Sequence, residues 1–460
     1  MLRLALLVPA LTFLAHAPAR TPASAGSHGL DDPAEEHARA LADLEAGKFE
    51  SAHRRFRQIA ERWPDTSLGA DAADRVAPNA LLGWRDVLRH GPDENRVTVV
   101  LLQDGCELGE LDSFDDLAQD VPSFFEQTLV FGEYFRYLNF VQGLVVSVED
   151  GLDGHGREAN TALGAHVVPR AVGDHVATDP DLVRPVLERM GASDGYAIVF
   201  VPRGLRGTGG PGLATVGGRS ASTTLHEWGH AFAGLQDETV IDGGYRGPLT
   251  TGGTGINVSE NGNPERVPWA HWIEAKARGI GVYEGAAGRL RGAFKPKASG
   301  CRMEDGESYC PVCREALVRK LYEHVDPIEQ ASVRSTDGLD HESREFEVIV
   351  QRPARHALEV AWYVLPASVA PPESGDAGLR PRSLRGPLAP IDAKPARETR
   401  SKGGLHRFRL ETARLEPGEY RVIVRVRDAT ELRGEKLPWV LKDELGLLSS
   451  ERSWRVEVQR

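Results

Sequence analysis

The spacing of apolar residues changes twice along the chain and divides it into three textures. Between Asp31 and about His90 apolar residues recur at helical intervals, so a helical segment is expected over 31–92. Within it, Gly47-x-Phe49-x-x-Ala52 followed by Phe56, Ile59 and Pro64 has the spacing of a tetratricopeptide hairpin, with glycine at the turn and Ala52 at the close approach. Arrays of such hairpins need about three repeats for stability. A single copy is therefore expected to pack on its neighbour or to dock a partner.

From Arg96 the texture alternates. RVTVVLLQDG, GLVVSVEDG and YAIVFVPRG are short apolar runs ending in Gly/Asp turns and read as buried strands. FDDLAQDVPSFFEQTLV and DPDLVRPVLERMG between them carry helical spacing, with Pro122 at a helix start or break. An α/β layer is expected over 95–332. RGTGGPG (Arg206 to Gly212) lacks the GK[ST] ending of a phosphate loop and reads as ordinary loop. LATVG after it reads as an edge strand on which an extended peptide could add. Beyond Asp337, REFEVIVQRP, ALEVAWYVLP, HRFRLETARL, GEYRVIVRVRDA and SWRVEVQR alternate with period two. They predict a β-sandwich of immunoglobulin or fibronectin type over 340–460. The fold class expected is multidomain α/β + β.

Composition narrows the function classes. The 460 residues carry a formal charge of −12 and no Lys/Arg cluster interleaved with aromatics, which argues against nucleic acid. Arg3, the apolar run Leu4 to Leu14 and small residues after it read as a signal peptide over 1–25. That run is short of the roughly 20 residues a spanning helix needs. An exported protein, periplasmic, cell-surface or extracellular, with no membrane span is expected. Cys106, Cys301, Cys310 and Cys313 can then pair in three ways, and a bridge within the last three is favoured over a metal knuckle because a second CxxC is missing.

The chemistry concentrates in STTLHEWGHAFAGLQDE, Ser222 to Glu238. On a helix, His226 and His230 lie one turn apart on one face and can share a Zn2+ ion, with Glu227 beside the metal as general base. Zinc lowers the pKa of a bound water to about 7. Thr224-x-x-Glu227 also matches a capping box, although Ser220 and Ser222 offer earlier caps. Gly234 can turn the chain so that Asp237 or Glu238 returns as a third ligand, and Asp237 keeps the glycine-plus-three spacing of HExxHxxGxxH enzymes. Met303, in the turn-rich SGCRMEDG, suits the methionine turn beneath such a site. The alternative third ligand on a later helix is Glu274.

HEWGHAFAGLQDE, INVSENGNPERVPWAHWIE, GVYEGA and CRMEDGESYCPVCREAL, with VTVVLLQDGC and NTALGAH upstream, resemble the IgA-peptidase family of zinc metallopeptidases. The resemblance spans about Arg96 to Asp326. It implies a metzincin-like catalytic domain and peptide-bond hydrolysis, with His226, His230 and Asp237 as ligands, Glu227 as base and Met303 as the methionine turn. The chain departs from the family at Thr239, where Asp-Glu-Tyr is usual. Cleavage of immunoglobulin does not follow.

Tyr283, Glu284 and Glu238 are further cleft candidates, the tyrosine as an oxyanion donor. Asp150, Asp153 and His155 read as a plain turn rather than a calcium loop, His166 and His271 as surface or core histidines, and Cys106 as a buried or disulfide-bonded cysteine rather than a latency switch. The reading is an exported zinc endopeptidase acting on protein or peptide. Docking through the helical hairpin or the β-sandwich is the other partner class. Its rivals are a catalytically silent scaffold or adhesion protein and a zinc amidase acting on cell-wall peptides.

Overall fold

The computed structural model describes residues 32–170, 173–241, 255–335, 343–371 and 387–459, so the expected leader lies outside the described residues. Helices α1 (Pro33–Glu45), α2 (Phe49–Arg62) and α3 (Ser67–Arg75) come first. Gly47 makes the turn between α1 and α2, and Ala52, Phe56 and Ile59 are buried at their seam. The helical reading of 31–92 runs too far, because Ala80–Leu88 is strand β1. Leu82 points to the helices while Leu81 joins the core on the other face of the sheet. Such alternation belongs to a strand, and antiparallel pairing with β3 (Leu138–Val146) fixes it.

The chain continues through β2 (Val97–Gln103), α4 (Leu111–Glu126), α5 (Leu129–Glu133) and then β3. Pro122 neither starts nor breaks α4, which runs through it. Buried Phe114, Leu117, Val121 and Phe125 hold that helix against the core and offset the one amide bond proline removes. A small hairpin, β4 (His166–Val168) with β5 (His175–Ala177), leads to α6 (Pro180–Arg189), β6 (Tyr196–Val201), β7 (Thr208–Gly210) and β8 (Leu213–Gly217).

The main sheet has the order β1-β3-β2-β6-β8-β7, parallel in its middle and antiparallel at both margins. Two expectations change here. LATVG is an interior strand, and the edge is β7, formed by the Gly-rich stretch read as loop. The reason is local. Gly209 and Gly210 bring the chain back against Ala214 and Leu213, covering the flank of β8.

Helix α7 (Ala221–Ala233) follows β8, then α8 (Ala270–Glu274), the hairpin β9 (Tyr283–Ala286) and β10 (Arg289–Lys295), and α9 (Pro311–His324). Strand β11 (Ile328–Ser335) pairs with β12 (Ser343–Val350), so residues from Ile328 belong with the C-terminal sheets rather than with the segment expected to end at 332. The other strands are β13 (Leu358–Pro366), β14 (Arg397–Ser401), β15 (Gly404–Glu411), β16 (Gly418–Arg427) and β17 (Ser449–Val458). They form the sheets β11-β12-β15 and β14-β13-β16-β17, which share one core of Phe346, Val348, Trp362, Phe408 and Val424. Among the described residues no helix is long and apolar enough to cross a membrane.

The C-terminal sheets are joined tightly to the rest. The link from β16 to β17 sends Trp439 and Leu447 into the same core as α7 and α9. Beside it lies a buried polar chain. Glu133 accepts from the amides of Arg355 and His356, at 2.8 and 3.1 Å, and pairs with His356 Nδ1 at 2.8 Å. His356 Nε2 reaches Asp428 at 2.7 Å, and Asp428 accepts from the hydroxyls of Tyr134 and Tyr322. Burial opposes ionisation of Glu133, but bonds from His356 and Arg355 hold it at about 2. Burial likewise opposes the imidazolium, yet Asp428 and Glu133 push His356 up to about 9.

The imidazolium's contribution is complete below its ordinary pKa of 6.5 and is lost as pH rises through about 9. That of Glu133 is complete above 4.5 and is lost as pH falls toward about 2. Denaturation midpoints should therefore decline on both sides of the interval between 4.5 and 6.5. His356→Ala should destabilise the protein by about 3–5 kcal/mol, because it strands buried carboxylates, and should flatten the alkaline decline. Denaturant titration across pH checks both.

Candidate metal centre

Helix α7 exists because one of its faces is apolar. Leu225, Trp228, Ala231 and Phe232 are buried, Trp228 stacks on Phe232 at 5.1 Å, and its edge meets Phe125 at 5.2 Å. Anchoring that face leaves His226 and His230 on the other. Ser220 caps the helix by accepting from Thr223 N, so Glu227 lies within the helix and is not a capping residue. Gly234 ends it in the left-handed region at φ 63°, where a side chain would be strained, and turns the chain toward Asp237.

The turn brings His226, His230 and Asp237 together, with one ligand atom from each within 4.8 Å of the others. His226 Nε2 lies 3.0 Å from Asp237 Oδ1 and 3.2 Å from His230 Nε2. Both Nδ1 atoms donate to backbone carbonyls, of Arg302 at 2.8 Å and Leu235 at 2.5 Å. Those bonds direct both Nε2 lone pairs inward, as metal-binding imidazoles require. Two such lone pairs in contact repel unless a cation or a proton lies between them. Burial disfavours charge on the rings, but Asp237 overcomes it and raises both, His230 to about 9. Asp237 itself is held far below the carboxylate range: burial opposes its charge, but the histidine bonds win. The arrangement can hold a metal ion, and it is open, since the Asp237 side chain keeps 43% of its exposure.

Glu227 is buried, which raises its pKa against the opposing pull of His230 and His226. Edge strand β7 lies directly over it. A Cβ at Gly209 would stand 2.5 Å from His230 Cβ and 2.6 Å from Glu227 O, so only glycine permits this approach. The Gly-rich stretch thus belongs to the site, and its signal was the glycines themselves. Met303 is fully buried beneath α7, where a Cβ on Gly229 would meet its Sδ at 2.8 Å, and its carbonyl accepts from Glu238 N at 2.6 Å.

Other candidates go elsewhere. Glu238 is not a cleft residue; it is buried beside Cys301, Cys310 and Cys313, a second group whose ligand atoms lie within 4.8 Å of one another and can hold a metal ion. Burial, with Cys301, pushes it up to about 8. The expected bridge in that cluster is not formed, since all four cysteines are free thiols. Glu284 is exposed and accepts from Gly292 N within the β9–β10 hairpin, Tyr283 is half-buried in the same hairpin, and exposed Glu274 joins neither ligand group. Cys106, pushed up to about 12 by burial, joins neither. Asp150 and His155 pair with Arg157 and Asp174, and Asp153 accepts from Ala159 N. His271 pairs with Glu315, and His166 bonds Gly164 O.

Gly209→Val should overpack the contact with α7 at a cost of about 1–3 kcal/mol and weaken divalent-metal binding at the histidines about tenfold. Zinc titration against a competing chelator measures it. No protein-family model matches the chain, and no curated protein matches it.

Proposed function

We propose that the protein is an exported zinc endopeptidase with a metzincin-like catalytic part and a C-terminal β-sandwich, in line with the resemblance of its motifs to the IgA-peptidase family. The observation that carries this is the convergence of His226, His230 and Asp237 beside the buried carboxylate of Glu227. Two imidazoles and a carboxylate on an open site match the donor set of a catalytic zinc. The two C-terminal sheets around one core support the sandwich.

When bound, the ion supplies Lewis-acid polarisation of a carbonyl and stabilises developing negative charge. The chain's own residues do the rest. Arg302 O and Leu235 O hold the imidazoles in one tautomer. Glu227, with a pKa raised by burial, takes a proton from the attacking water and returns it to the leaving amine. β7, a sheet edge that passes over Glu227, offers an extended peptide a strand to pair with. Trp228, Phe232 and Phe125 fix the helix that carries the base.

Casein cleavage by wild type and Glu227→Ala, with zinc assayed in each, tests the reading. Both should hold the ion, and the variant should lose about 100-fold or more in rate. Equal cleavage by the two removes Glu227 as base. Zinc in both with cleavage by neither turns the reading toward a scaffold.

A further inference from the structure

Behind the open centre lies a closed one. We infer that Cys301, Cys310, Cys313 and Glu238 form a second, structural metal site for a thiolate-preferring divalent cation of the zinc type, and that this ion fixes the segments which position the first centre.

The four residues are 0–2% exposed, and one ligand atom from each lies within 4.8 Å of the rest. Cys301 and Cys313 Sγ are 3.7 Å apart. Zinc–sulfur bonds of about 2.3 Å in a tetrahedron put sulfurs about 3.8 Å apart. A disulfide needs about 2.05 Å, and three thiols would still leave one unpaired. Glu238 Oε1 lies 3.2 Å from Cys313 Sγ and accepts from Asn257 Nδ2 at 3.0 Å. Its other oxygen, Oε2, is buried with no hydrogen-bond partner. A fully buried carboxylate oxygen without a donor is costly, and a cation among these ligands removes the cost. Cys310 stands at the N-cap position of α9, whose dipole favours thiolate, and its amide donates to Cys301 Sγ at 3.4 Å. Thiolates select zinc-type ions over magnesium or calcium.

The connections to the first centre are covalent and short. Glu238 follows Asp237, and its amide donates to Met303 O at 2.6 Å. Cys301 precedes Arg302, whose carbonyl sets the tautomer of His226. An ion on the thiols therefore ties the Asp237 link, the Met303 turn and the start of α9 together.

The test uses the full chain, reduced and stripped of metal, titrated with Co2+. Thiolate ligands give a sulfur-to-cobalt charge-transfer band that histidine and carboxylate do not. Wild type and the His226→Ala/His230→Ala double variant should both show the band, the latter with about one equivalent of metal. Cys310→Ser/Cys313→Ser should lose the band and bind metal at the histidines about 10–100-fold more weakly. If stripping or substitution unfolds the chain, zinc retained by the purified double histidine variant decides: about one equivalent supports the site, and none overturns it. Cobalt binding to wild type without the band, or a disulfide among the three cysteines in the unreduced protein, also overturns it. Loss of the peptidase reading alone would leave the thiolate band in place.

Discussion

A single backbone hydrogen bond, from Glu238 N to Met303 O at 2.6 Å, fixes where two neighbouring carboxylates go. With that link pinned, Asp237 faces His226 and His230 while Glu238 is buried among the thiols. The same turn places Met303 under Gly229 and Arg302 O against His226. The placement of Asp237, the orientation of His226 and support for the helix thus depend on one junction between distant parts of the chain.

The two donor sets differ as their surroundings require. The histidine group keeps a half-exposed carboxylate and an open side. The thiol group is closed on all sides and sits within the main core. Helix α7 carries the histidines: aromatic packing holds its apolar face, and bonds to the carbonyls of Arg302 and Leu235 orient the imidazoles on the other.

The C-terminal sheets are part of this frame. Trp439 enters the main core, and Glu315 of α9 accepts from the amides of Leu441 and Lys442. The buried chain from Glu133 through His356 to Asp428 closes the same junction with charge. Removing His356 would take from the buried carboxylates of Glu133 and Asp428 the ring that pairs with both, so the junction rewards a single arrangement.

By itself the sequence determined the elements whose patterns are local. Period-two runs became strands, the apolar stripe around Trp228 became a helix, and four-residue spacing put His226 and His230 on one face. It also offered three carboxylates as the third partner of the histidines, Asp237 first, then Glu238 and Glu274. Tertiary structure decided what depends on contacts far apart in the chain. Ala80–Leu88 became a strand only because β3 pairs with it, and Gly209 became part of the site only because α7 lies beneath. Glu238 met Cys301, Cys310 and Cys313 only through folding. Local spacing sets which side chains share a face, but which faces meet is settled by burial and by pairing of backbone groups across the whole chain.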